Sequence, residues 1–174
     1  MALKTIFLDR DGVINKEVEY LHEINKFIFI DGVFETCLYF QKLGFRLIIV
    51  TNQSGIGRGY YTERDYQILT KWMLKKFLSN KIDILDIFHC PHSPEFNCNC
   101  RKPKPGMFIE AKEKHNISMQ DSWMIGDKEE DIKAAKKAGI KNTILLRSGH
   151  KVDETRSAAQ FIFNSIINTK KIIH

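Results

Sequence analysis

The chain has 174 residues, of which 28% are charged and 43% hydrophobic, and it carries a net charge of +6. Such a length fits one domain that buries a core without staples, and the composition excludes disordered and fibrous classes. MALKTIFLDRD reaches Asp9, Arg10 and Asp11 too soon for a signal peptide, and no apolar run approaches the roughly 18 residues of a membrane span. The expectation is therefore a single cytoplasmic domain over residues 1–174 with no membrane partner. Lysines are spread along the chain, with adjacent pairs only at 75–76, 136–137 and 170–171. That distribution marks solvated helix faces rather than a nucleic-acid footprint, and the sequence lacks a basic stretch interleaved with aromatics for stacking bases.

In chain order, TIFL at 5–8 is a short apolar run stopped by a charged turn, and FRLIIV at 45–50 is a longer β-branched run stopped by TNQSG. Both have the pattern of buried parallel strands. Between them, apolar residues at 34, 37, 38, 40 and 43 keep helical spacing up to Gly44, a C-terminal stop. Thr62 followed by acidic residues opens a helix running to about Leu78. A third strand is predicted over 84–89, a helix over 105–114 with proline in its first turn, a fourth strand over 122–125, a helix over 131–138 ended by Gly139, and a fifth strand over 143–146. Strand and helix alternate throughout, so the predicted fold class is α/β: a Rossmann-like three-layer α/β/α sandwich around a mainly parallel sheet.

Ligands in such sheets bind beyond the carboxyl ends of the strands. Four of these ends carry the polar chemistry: Asp9 and Asp11, Thr51 and Asn52, a Cys/His cluster running into Arg101 and Lys102, and Asp127. Each piece has an ordinary reading beside the functional one. DRDG can be a surface turn, TNQSG a plain turn, GDKEED an acidic helix start and RKPKP an extended linker. Their order along the chain carries more weight than any of them alone.

That order resembles the haloacid dehalogenase superfamily of phosphotransferases: a D-x-D strand end at 9–12, a threonine after the second strand at Thr51, a lysine at Lys102 and a late acidic pair at Asp127 and Asp131. The resemblance spans residues 5–147 and implies phosphoryl transfer through an aspartyl-phosphate on Asp9. It implies catalytic roles for Asp9, Asp11, Thr51 and Lys102. Asp11 would protonate the leaving oxygen and then activate water, while Thr51 and Lys102 would hold phosphoryl oxygens. Mg²⁺ would be held by Asp9, Asp127 and the backbone carbonyl of Asp11, with Asp131 orienting that site.

CPHSPEFNCNC places Cys90, His92, Cys98 and Cys100 in eleven positions. In a reducing compartment such a cluster reads as metal-binding rather than disulfide-forming. Four soft or borderline ligands suit a closed tetrahedral Zn²⁺, which makes the site at 90–100 structural. Cys37, among apolar neighbours in a helix, reads as a core thiol.

The zinc loop joined to CRKP narrows the resemblance to the branch of heptose-bisphosphate phosphatases and histidinol-phosphate phosphatases. EYLHEINKFIFIDGV at 19–33, TNQSGIGRGYYT at 51–62 and CRKPKPGM at 100–107 lean toward the heptose enzymes. The short SPEFN loop occurs in both groups and leaves anomer preference open. By position, substrate contacts fall at Glu17, Val18, Glu19, Tyr20, Thr51, Asn52, Gln53, Ser54, Arg101, Lys102 and Lys128. The motif intervals leave no room for a large cap domain, which suits a small phosphosugar and a monomer. Two other functions compete: a phosphatase of nucleic-acid 3′ ends, and a zinc-dependent interaction module without catalysis.

Overall fold

A computed structural model describes residues 2–174. Six strands form one parallel sheet in the order β3-β2-β1-β4-β5-β6. They are β1 (Thr5–Leu8), β2 (Arg46–Asn52), β3 (Ile84–Cys90), β4 (Trp123–Gly126), β5 (Asn142–Leu146) and β6 (Phe161–Phe163). The helices are α1 (Val33–Lys42), α2 (Ser54–Gly57), α3 (Glu63–Ser79), α4 (Gly106–His115) and α5 (Glu129–Lys137), with short 3₁₀ turns elsewhere.

The two-residue period of each strand decides which layer it feeds. Ile6, Leu8, Leu47 and Ile49 face the side covered by α1, α3 and the C-terminal turn Ile166–Lys171, against Phe40, Met73, Phe77 and Ile166. Phe7, Ile48, Val50 and Met124 face the other side, where α4 and α5 supply Met107, Phe108, Ala111, Ala134 and Ala135. Phe7 and Phe108 meet with ring centroids 5.1 Å apart. A sheet buried on both faces requires continuous apolar strands rather than alternating ones, which is why TIFL and LIIV were legible as strands.

Most sequence-based boundaries move by one residue, as β4 does from 122–125 to Trp123–Gly126, and four departures are larger. β2 runs on through Thr51 and Asn52, which pair with His89 and Cys90 of β3. α5 begins at Glu129, two residues before the expected start, because the Asp131 carboxylate accepts the Lys128 backbone N–H and caps the helix from within its first turn. α2 and β6 were not anticipated; one is a single turn and the other three residues long. At the start of α3 the expected cap is present in reciprocal form, with Asp65 N donating to Thr62 Oγ1 and Thr62 N donating to Asp65 Oδ2.

Strand order reverses direction between β1 and β4, so the connections leaving these neighbours diverge and open a crevice at their carboxyl ends. Asp9 follows β1 and Asp127 follows β4 at that point.

Candidate active site

Asp9 is 6% exposed and its Oδ1 accepts from the Arg10 backbone N–H (2.8 Å) and from Lys102 Nζ (2.9 Å). Lys102 is itself buried and also reaches Asp131 Oδ1 (2.6 Å) and the Val50 carbonyl (2.9 Å). Its arrival is fixed by Asn52, whose side chain accepts from Lys102 N (3.1 Å) and donates to Lys102 O (3.2 Å). Asp131 is fully engaged, since its other oxygen accepts the backbone N–H groups of Asp127 and Lys128.

Asp11 is held from several sides. Arg10 Nε and Nη2 donate to its two oxygens at 3.2 and 3.1 Å, Asn15 Nδ2 at 3.0 Å and Gln53 Nε2 at 3.2 Å. Arg10 Nη2 also donates to the Leu21 carbonyl, tying Asp11 to the loop on the rim. Gln53 receives Tyr61 OH on its Oε1 (2.6 Å) and donates to Thr51 Oγ1 (2.8 Å), so one amide links the end of β2 to the D-x-D turn.

Asp9, Asp127 and Asp131 offer carboxylate oxygens within 4.8 Å of one another. Burial, then the Asp131 charge, with further contributions from Asp127 and Asp11, hold the Asp9 carboxyl well above the usual range against the opposing pull of Lys102. Burial and Asp131 push Asp127 up to about 7. Lys102 moves upward as well: burial works against its charge, but Asp131 and Asp9 outweigh it. Three buried carboxylates facing one buried ammonium leave negative charge uncompensated, and Asp127 Oδ1 is buried without a hydrogen-bond partner. Hard oxygen donors with surplus negative charge fit Mg²⁺. Gly12, at φ +86°, permits the crowding, since a Cβ there would run into the Asp127 carboxylate.

A cavity of about 260 Å³ opens over this floor. Of the residues expected from sequence, Asp9, Asp11, Glu17, Val18, Glu19 and Tyr20 line it, as do Asn52, Gln53, Ser54, Arg101, Lys102 and Lys128. Thr51 and Asp127 are not part of its lining: Thr51 reaches it through Gln53, and Asp127 lines an adjoining cavity beside its neighbouring carboxylates. Arg101 Nη1 is buried and unpartnered, a donor free for an anion. Sequence reasoning missed Arg10, Leu21, Gly55, Tyr61, Glu130 and His150 in the lining. Tyr61 lay inside a quoted stretch but carried no motif, and His150 had no signal beyond being a lone histidine in a glycine-containing loop.

Beside the cavity, Cys90, His92, Cys98 and Cys100 converge with all ligand atoms within 4.8 Å of one another and no disulfide. Sγ and Nδ1 separations run from 2.9 to 3.5 Å. Edges of a zinc tetrahedron built with Zn–S of about 2.3 Å are roughly 3.8 Å, so a small outward movement accommodates the ion. Within the cluster the thiols diverge: burial first, helped by a neighbouring thiol, holds Cys90 and Cys100 above the usual thiol range. At Cys98 the Arg101 backbone N–H and the cluster groups overcome burial and bring the thiol down to about 6, so Cys98 is the first to become a thiolate. Phe96 stacks on His92 at 4.4 Å, and Gly57 N donates to the Pro91 carbonyl, docking the loop on α2.

Reversed strand order, a D-x-D turn, a buried lysine bridging two aspartates and a late aspartate at the crevice together define a phosphotransfer site of the haloacid dehalogenase type. A family model described as HAD-hyrolase-like matches residues 99–169. The D-glycero-alpha-D-manno-heptose-1,7-bisphosphate 7-phosphatase of Photorhabdus laumondii is 43% identical over 98% of this chain and 97% of its own. The D-glycero-beta-D-manno-heptose-1,7-bisphosphate 7-phosphatase of Vibrio cholerae is 45% identical over 95% and 94%, and that of Escherichia coli K12 is 42% identical over 99% and 94%. In fold, the chain superposes with TM-score 0.86 and 24% identity on the D,D-heptose 1.7-bisphosphate phosphatase of B. bronchiseptica, solved with magnesium and phosphate, over 97% of each chain. The chain belongs to the heptose-1,7-bisphosphate 7-phosphatase family within the haloacid dehalogenase-like hydrolases.

Proposed function

We propose that this chain hydrolyses the 7-phosphate of D-glycero-D-manno-heptose 1,7-bisphosphate through an aspartyl-phosphate on Asp9, within the biosynthesis of nucleotide-activated heptose. The observation that carries this is the full-length match to relatives named for that reaction, laid over a cavity whose floor holds the two aspartates and the lysine that phosphoryl transfer needs.

A carboxylate oxygen of Asp9 attacks phosphorus, the bond from phosphorus to the sugar oxygen breaks, and Asp11 gives that oxygen its proton. Water then attacks the phosphoryl group while Asp11 takes its proton. The bond from Asp9 to phosphorus breaks and inorganic phosphate leaves. Such acid/base help contributes typically about 10²- to 10⁴-fold. Arg10, Asn15 and Gln53 hold Asp11 in place for both halves. Lys102 steadies the charge that develops on the phosphoryl oxygens, with Thr51 acting on them through the Gln53 amide, and Arg101 and Lys128 offer cations to the phosphates of the substrate. Glu17, Val18, Glu19, Tyr20, Asn52, Gln53 and Ser54 shape the sugar side of the cavity.

Asp9, Asp127 and the Asp11 carbonyl would hold Mg²⁺, whose positive charge would let the Asp9 carboxylate approach a phosphate dianion. Zinc at Cys90, His92, Cys98 and Cys100 serves structure: the four-ligand set leaves no open position, and the loop leads straight into Arg101 and Lys102. We read residues 1–174 as one phosphatase domain acting as a cytoplasmic monomer. A cysteine cluster with no disulfide among the described residues suits a reducing compartment.

Phosphate release measured on both anomers of the heptose bisphosphate, on histidinol phosphate and on 3′-phosphorylated oligonucleotides tests the substrate class. A heptose bisphosphate anomer should give the highest kcat/KM. Faster turnover of histidinol phosphate or of oligonucleotide ends would overturn the proposal.

A further inference from the structure

Asp127 presents an asymmetric carboxylate. Its Oδ2 accepts from His150 Nδ1 at 2.6 Å and from the His150 backbone N–H at 3.2 Å. Its Oδ1 is buried and has no partner. Two donors from one residue therefore occupy one oxygen and leave the other to a ligand. The segment that carries His150 is itself fixed: Ser148 Oγ donates to the Gly12 carbonyl at 2.7 Å. Gly149 lies so near Asp127 Oδ2 and Gly12 Cα that a Cβ on it would collide with both. The loop after β5 is thus seated on the D-x-D turn, and its histidine closes on the aspartate after β4.

We infer that His150 is a positioning residue for magnesium: it saturates Asp127 Oδ2 through its side chain and backbone, and so fixes Oδ1 as the metal-binding oxygen. The physical basis is general. Groups that hydrogen-bond a ligating carboxylate set its orientation, and their removal typically weakens metal binding by about 10- to 100-fold. His150 lies on the wall shared by the catalytic cavity and a neighbouring one of about 250 Å³. Its side chain is 39% exposed, so replacing it removes contacts to Asp127 without opening the core.

The inference rests on the proposed magnesium role of Asp127, and calorimetric titration of the full chain with Mg²⁺ alone, in the absence of substrate, separates the two. Asp127→Asn tests the underlying role, while His150→Ala and His150→Asn test the inference. Asparagine places an amide N–H close to where Nδ1 stands, so His150→Asn keeps the donor that His150→Ala deletes. The expected result is Mg²⁺ binding weakened about 10- to 100-fold in His150→Ala and largely recovered in His150→Asn. Binding by His150→Ala within threefold of the unaltered chain, or His150→Asn as weak as His150→Ala, overturns the inference while leaving the Asp127 role intact. Full Mg²⁺ binding by Asp127→Asn overturns both.

Discussion

Replacing Lys102 by methionine removes the one buried cation that bridges Asp9 and Asp131. The contacts are 2.9 and 2.6 Å, and the three side chains are 3%, 9% and 1% exposed. At such separations each attraction amounts to roughly 6 kcal/mol for an effective dielectric of about 20. Much of that offsets the cost of withdrawing the charges from water. What the substitution leaves behind decides the net effect: two carboxylates with no counter-charge, for which removal of one partner costs about 3–5 kcal/mol. That is a large share of the 5–15 kcal/mol typical of a domain. Urea unfolding in EDTA should show the unfolding free energy of Lys102→Met falling by that amount, with a lower midpoint. Adding Asp131→Asn to Lys102→Met should recover part of the loss, because it removes one of the stranded charges. Activity should fall about 10²- to 10³-fold, as when a donor to developing charge is deleted. A Lys102→Met chain within 1 kcal/mol of the unaltered protein, with no gain from the second substitution, would refute the picture of an electrostatically bridged floor.

Cys98→Ser should lower the zinc content measured by plasma emission, reduce the melting temperature and raise KM more than it lowers kcat, since the loop delivers Arg101 and Lys102. Thr62→Ala breaks the reciprocal cap of α3 and should cost about 1 kcal/mol by chemical denaturation, with kinetics unchanged. Phe108→Ala, which empties a fully buried ring site against Phe7, should cost about 3–5 kcal/mol on the same measure. For Asp86, burial opposes ionisation, but bonds from Lys114 and His115 outweigh it and lower its pKa. A lowered folded pKa contributes stability above the unfolded value of about 3.9 and loses it as pH falls through the folded value. Asp86→Asn should therefore be less stable than the parent at pH 6, with the gap closing below about pH 4 in acid-titrated melts.

The parts of this protein that could be read from sequence are those where one residue type at one place has few structural meanings. TIFL and LIIV declare themselves as doubly covered strands because both alternate faces are apolar. Asp9, Thr51 and Asp127 stand at or just beyond strand ends, where the topology gathers them, and Lys102 joins them from the loop after β3, held there by Asn52. α2 and β6 escaped because a four-residue turn and a three-residue strand are too short for a periodic signal. The start of α5 was misplaced for a physical reason: Asp131 was assigned to the first helical position when it caps from the third. Arg10 read as one more charge in a turn; only the fold shows its guanidinium gripping Asp11 and the Leu21 carbonyl. The approach of Gly149 to Gly12 joins segments 137 positions apart and leaves no local trace, so His150 could not be found before its partner Asp127 was seen.

The central claim is a covalent phosphoryl group on Asp9, and reductive trapping reads it directly. Turnover quenched with tritiated borohydride converts an acyl-phosphate on aspartate to labelled homoserine, and peptide sequencing then locates the label. Homoserine at position 9, absent from an Asp9→Asn control, is the expected result. Label at any other residue during active turnover, or turnover surviving in Asp9→Asn, would contradict it.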